Sequence, residues 1–322
     1  MKKIIALVLT LVLAAALLAG CAGSGAAAVK TYNIGVSIYK YDDNFMTLYR
    51  NEISAYFKKL ETDTVKYNVT IMDGRGDMVE QTNQVDSFIS QKVDVMIINL
   101  VQSSSANTIT QKAKAAGIPV VYINREPSVE DMKAWDKICY VGADARQSGT
   151  YQGEIIRDLP NHGDINGDGI VSYIMLVGDP ENTDAQYRTE FSIKALTDAG
   201  IGVKKLFEQR GDWDQARGQE LTANALSQYT NEIEVVFANN DGMAMGAIAA
   251  IKAAGRKVGT DIYLVGVDAI PEAIDAINAG DMTGTVLNDH VGQSHTAVNM
   301  ALLYILGAEV GTFQWVNYAK VQ

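Results

Sequence analysis

Residues Tyr32–Met46 read YNIGVSIYKYDDNFM, an apolar run that ends abruptly in a polar cluster. Ile34, Val36 and Ile38 alternate with small residues as one buried strand would, and Tyr39 to Asp43 fall where that strand stops. The same punctuation recurs along the chain. VMIIN ends at Asn99, VVYIN at Asn124, VVFANND at Asn239, Asn240 and Asp241, LVGVD at Asp268, and TVLND at Asn288 and Asp289. Short polar side chains therefore gather at the C-terminal ends of strands, where open α/β sheets hold ligands.

Helical spacing separates these strands, as in Tyr49, Ile53, Tyr56, Phe57 and Leu60, in Val79–Ile89, and in Asn107–Ala116 closing at Gly117. The alternation predicts an α/β fold of parallel sheets flanked by helices. Arg125-Glu126-Pro127-Ser128 breaks the rhythm, and a second series starts with the strand Ile138–Val141. Two lobes are expected, residues 31–125 with 289–322 and residues 126–288, with the strand-end polar residues lining a cleft.

The chain has 322 residues, 48% hydrophobic and 20% charged, with a formal net charge of −11. That sign excludes a nucleic-acid partner, which needs a basic face. The start is an address: Met1-Lys2-Lys3, an apolar run Ile4–Leu18 too short for a confident membrane span, then Leu18-Ala19-Gly20-Cys21. Leu-Ala-Gly-Cys resembles the bacterial lipobox, which implies a signal peptide over 1–21, a lipidated Cys21 anchored on the outer face of the cell membrane, and a tether over 22–30. Cys139 is then a single cysteine, read as a small buried hydrophobe.

Asp164-Ile165-Asn166-Gly167-Asp168-Gly169-Ile170 matches the first seven positions of an EF-hand calcium loop, but position twelve is Met175 instead of a glutamate. The stretch alone is equally a Gly/Asn/Asp turn that binds nothing. No phosphate loop or Gly-x-Ser-x-Gly elbow is present, and His162, His290 and His295 form no metal-spaced pair and read as solvated. Asp43, Asp184, Asp212 and Asp268 are candidates for paired carboxylates of a glycosidase. Planar amides, carboxylates and Arg188 equally suit reversible holding of sugar hydroxyls, with Phe45 and Trp213 covering the apolar faces of a pyranose.

Five ordered segments carry a family resemblance: Tyr39–Met46, Ile98–Val101, Ala238–Gly246, Gly266–Ala269 and Gly284–Asp289. Together they resemble the sugar-binding receptors of ABC importers in the periplasmic-binding-protein family, the galactose/glucose receptors in particular. The resemblance implies a hinged two-lobe type I fold, no catalysis, and a monomer that delivers D-glucose or D-galactose to a permease. It implies sugar contacts from Asp43, Phe45, Asn99, Asp184, Arg188, Trp213, Asn240, Asp268 and Asn288. It also implies a structural Ca2+ held by Asp164, Asn166, Asp168, Ile170 and Ser172, closed by Glu234. Asn182 stands where the family has a histidine, so hexose preference is where the site is expected to depart, and Ser172 stands where it has a glutamine at the ninth calcium position, where the shorter hydroxyl would need a bridging water. A sensory module serving a chemoreceptor or sensor kinase is the first alternative, and a surface glycosidase the second. A transcription regulator is the weakest, because a signal segment stands where a helix-turn-helix would be.

Overall fold

The computed structural model describes residues 28–322, so Cys21 and the signal segment lie outside the described residues. The chain divides into two compact units. The first takes in the described residues up to Tyr41, Leu48–Val141 and Val291–Gln314; the second takes in Asp42–Thr47, Gly142–His290 and Trp315–Gln322.

In the first unit, β1 (Lys30–Ile38), β2 (Val65–Asp73), β3 (Val95–Ile98), β4 (Val120–Ile123) and β5 (Ile138–Gly142) are joined by α1 (Asn44–Leu60), α2 (Met78–Ser90) and α3 (Ala106–Ala116). The sheet order is β11-β5-β4-β3-β1-β2, where β11 is Phe313–Trp315. β1, β3, β4 and β5 run parallel to one another, and β3, β4 and β5 are buried along their whole length. This is why they read as continuous apolar runs instead of alternating ones. Phe88, Met96, Ile98, Val120, Tyr122 and Tyr140 centre the core on one side of this sheet. Gly117 takes φ 71° and closes α3 as its position in the sequence predicts.

In the second unit, α4 (Ala145–Arg157), β6 (Ile170–Val177), α5 (Thr183–Thr197), β7 (Gly202–Arg210), α6 (Gln215–Tyr229), β8 (Val235–Ala238), α7 (Asp241–Ala253), β9 (Tyr263–Val265), α8 (Pro271–Asn278) and β10 (Thr285–Leu287) follow in order. The parallel sheet runs β7-β6-β8-β9, and bridges Val265 to Gly284 and Asp268 to Leu287 attach β10 to its edge. After α9 (His290–Ile305) and β11, the last strand β12 (Ala319–Val321) pairs antiparallel with β10. Ile155, Val171, Met175, Phe237, Val265 and Val286 form this core.

Three expectations about the division are corrected. The break does not fall at Glu126: β5 pairs with β4, because Ile138–Val141 continues the buried ladder of the first sheet. The tail 289–322 does not stay together, since Trp315–Gln322 joins the second unit through the β10–β12 ladder. Asp42–Thr47, at the end of the opening stretch, also groups with the second unit.

Candidate functional site

In the first unit the strand ends are tied by neutral amides. Asn99, fully buried after β3, accepts from the Tyr39 amide at 3.2 Å and donates to Ile123 O at 3.3 Å and Asn124 Oδ1 at 3.0 Å. One side chain thus joins the ends of β1, β3 and β4. Gln81 on α2 braces it from below, donating to Asn99 O at 2.8 Å and Ser37 Oγ at 3.0 Å and accepting from Val101 N at 2.8 Å. Buried polar atoms need partners, so this network sets the path of residues 99–101. Two residues of the opening stretch that the sequence left without a role are held by arginines. The buried Arg125 guanidinium lies 3.9 Å from the Tyr39 ring centroid and donates to Val101 O, and Arg50 lies 4.1 Å from the Tyr41 ring while donating to Tyr41 O at 2.7 Å.

The second unit carries the charge. Arg188 reaches out from α5, 3.4 Å from Asp184 Oδ2 one turn earlier and 4.0 Å from Asp268 Oδ1. It also donates to Asn239 O at 2.9 Å and Tyr318 Oη at 3.2 Å, and lies 5.7 Å from the Trp213 ring centroid. Burial works against the guanidinium charge, but Tyr318, Asp184 and Asp268 outweigh it and hold the group above its ordinary range. Asp268 is also buried. Desolvation raises its carboxyl well above the usual range, with Asp241 and Asp43 adding to the rise and Arg188 and Asn288 opposing it. Asn288 donates its amide to Asp268 Oδ1 at 3.2 Å.

The remaining predicted residues have identifiable local duties. Asn182 caps α5, accepting from Asp184 N at 2.9 Å, which fixes where the helix carrying Asp184 and Arg188 begins. That start lies six residues before Thr189, where the apolar pattern alone places it. Asn240 caps α7 through Met243 N at 3.0 Å and donates to Trp213 O at 3.1 Å. It therefore holds the Asp212–Trp213 pair, whose φ values of 55° and 65° are unusual for residues with a Cβ. Gly178 permits the indole to sit there, since a Cβ at that position would lie 2.3 Å from the Trp213 ring. Asp43 accepts from Met46 N at 2.7 Å at the start of α1, and the buried Phe45 meets the His290 ring edge-on at 6.5 Å.

Two donors in this cluster, Arg188 Nε and Trp213 Nε1, are buried without an acceptor in the protein. Buried donors left unmatched are costly, so they point to a polar group that meets them. Sequence reasoning missed Tyr318, which arrives from the far end of the chain, and Asp241, whose place in Asn239-Asn240-Asp241 was visible but had no assigned partner.

Glu234, just before β8, meets the Asp164–Ile170 loop through backbone amides. Glu234 is buried and accepts from Ile165 N at 2.7 Å, Asn166 N at 3.0 Å and Ser172 N at 2.8 Å. Asp164 accepts from Gly167 N and Gly169 N, Asn166 from Asp168 N, and Asp168 from Ile170 N. Among the described residues no three Asp, Glu, His or Cys side chains stand together as a metal-holding group. The side-chain oxygens of the loop are taken up by its own backbone amides. His295, partly exposed, stacks on Tyr56 at 3.7 Å and lies 2.7 Å from Glu52.

Comparison with known proteins follows the same lines. The family model for the periplasmic binding protein domain matches residues 34–309. The chain is 39% identical to the D-galactose/methyl-galactoside binding periplasmic protein MglB of Haemophilus influenzae, over 91% of this chain and 87% of that protein. It is 35% identical to a putative rhizopine-binding protein of Rhizobium meliloti, over 86% and 85%. Among solved structures, an ABC transporter solute binding protein of Bacillus halodurans with bound myo-inositol superposes with a TM-score of 0.78 at 29% identity, covering 93% of this chain and 96% of that one. With its parallel sheets, flanking helices and strand-end polar residues, the chain belongs to the periplasmic binding protein family, and its relatives are binding proteins of transport systems, not enzymes.

Proposed function

We propose that this protein is the sugar-binding receptor of an ABC importer and that its ligand is a hexose of the D-galactose/D-glucose class. The observation that carries this reading is the buried Asp184–Arg188–Asp268–Asn288 cluster beside Trp213, with the Arg188 Nε and Trp213 Nε1 donors unmatched. Carboxylates and amides accept and donate in the paired fashion that vicinal hydroxyls require, and an indole offers an apolar face to a sugar ring. The 39% identity to a galactoside receptor favours a hexose over the cyclitols and pentoses bound by more distant relatives. Asn182, committed to capping α5, is the position from which a change in hexose preference would arise.

Two further elements belong to the same reading. A lipid on Cys21 would keep the receptor at the membrane, and a Ca2+ held by Asp164, Asn166, Asp168, Ile170, Ser172 and Glu234 would brace the start of β6. Titration calorimetry against D-galactose, D-glucose, D-ribose, xylitol and myo-inositol tests the ligand class. Binding of a hexose in preference to the others supports the proposal, and no hexose binding at ~1 mM overturns it. Loss of thermal stability on chelation, restored by Ca2+ and not by Mg2+, tests the metal.

A further inference from the structure

Asp241 is the first residue of α7 and is fully buried, yet it takes no part in the cluster around Arg188 by direct hydrogen bond. Its Oδ1 accepts from the Thr285 hydroxyl of β10 at 2.7 Å, and its Oδ2 accepts from the Ile270 amide at 3.1 Å. The Ala269 amide donates to the same Thr285 hydroxyl at 3.4 Å. Gly266 makes room for the carboxylate, because a Cβ there would lie 2.2 Å from Asp241 Oδ1. The segment it grips is strained: Asp268 has φ 132° and Ala269 φ 54°, both in the region that favours glycine. A backbone in such a conformation persists only when its surroundings hold it. Here the hold is one carboxylate that takes the Ile270 amide and the Thr285 hydroxyl, the hydroxyl in turn taking the Ala269 amide, and so ties the turn to the strand that leads to Asn288.

We infer that Asp241 is a positioning residue for Asp268: by pinning the Asp268–Ala269–Ile270 turn to β10, it aims the Asp268 carboxylate at Arg188 and Asn288 and thereby sets ligand affinity. The affinity part rests on the hexose reading above; the pinning of the turn does not. Arg188 offsets part of the repulsion between the Asp241 and Asp268 carboxylates, so the hydrogen bonds, and not charge, hold the turn.

The test compares the wild-type protein with Asp241→Asn, which leaves one acceptor oxygen where the carboxylate offers two, and with the isosteric Thr285→Val. Hydrogen exchange on the ligand-free proteins reads the turn directly. Exchange at the Ala269 and Ile270 amides is expected to quicken by ~100-fold in Asp241→Asn while the amides of β6 and β8 keep their protection. D-galactose titration is expected to show affinity reduced by ~30-fold in Asp241→Asn and by ~5-fold in Thr285→Val. Unchanged exchange at the two amides, acceleration spread evenly over the second unit, or wild-type affinity in both variants overturns the inference. Should Asp241→Asn not fold, Thr285→Val decides it by the same two readouts. A wild-type protein that binds no D-galactose overturns the hexose reading, and the exchange measurement still decides the role of Asp241.

Discussion

The strand ends of the two units solve the same problem with different chemistry. In the first, Asn99 and Gln81 spend their amides on the protein's own backbone, and the buried network is neutral and closely matched. In the second, one arginine stands among buried carboxylates, two donors lack acceptors, and Asp212, Trp213, Asp268 and Ala269 all hold positive φ. A saturated network stabilises a fold, whereas unmatched donors and strained backbone are kept where a ligand completes them. Positive φ at Asn124 and an unmatched Ser103 Oγ occur in the first unit too, so the difference between the units lies in the buried carboxylates around Arg188, which we propose as the binding side.

The largest effect that would break this contrast is expected from Arg188→Met. It leaves Asp184 and Asp268 buried without their cation, which should cost ~3–5 kcal/mol of stability and abolish measurable hexose binding. Denaturant unfolding and calorimetry check both, and a variant of wild-type stability would show that the second unit's charges are not held by Arg188.

The pH dependence of stability should differ between wild type and Asp241→Asn. Burial, opposed by the Thr285 hydroxyl, the Ile270 and Ala269 amides and Arg188, pushes the Asp241 carboxyl up from 3.8 to about 6. Asp268 is the neighbouring carboxylate that interacts with it. A folded-state value above the unfolded one means that the folded protein binds the extra proton. The stability this contributes is complete below the unfolded value and is lost as pH rises through the folded one. The wild type should therefore lose ~2–3 kcal/mol relative to Asp241→Asn between pH ~4 and ~7. Unfolding curves across that window with a constant difference would contradict it.

Trp213→Ala should lower hexose affinity by ~100-fold, about 2.7 kcal/mol, through loss of the ring face and its indole donor. An unchanged Kd in calorimetry would make Trp213 a packing residue of the second unit. The smallest effect on binding should come from the first unit. Gln81→Leu strands Asn99 O and Val101 N in the interior and should cost ~2 kcal/mol of stability, while hexose affinity changes by less than ~10-fold. A larger loss of affinity than of stability would move Asn99 and its brace to the binding side of the comparison.

Much of this was legible in the chain itself. Parallel strands buried on both faces must be apolar throughout, so β3, β4 and β8 announced themselves, and ladder geometry puts the next polar residue at the end where ligands bind. Asn99, Asn240, Asp268 and Asn288 were found in this way, and the capping pattern at Asn240 lay within reach of the same reading. The contact of Glu234 with the Asp164–Ile170 loop was not legible in local spacing, since about seventy residues separate them.

The tertiary structure decided which of those residues share a unit and what each touches. Local pattern could not place β5, because Ile138–Val141 reads as a buried strand beside either sheet and only pairing with β4 assigns it. Nor could it send Asp42–Thr47 and the last strand to the second unit, or bring Tyr318 to Arg188 across the chain. The role of Asp241 was equally hidden, since a buried carboxylate is defined by its partners, and Thr285 and Ile270 come from other elements. Hydrophobic periodicity is a local consequence of burial and can be read from the sequence. Hydrogen-bond partnership among buried polar groups is set by chain topology, and it exists only once the sheets have formed.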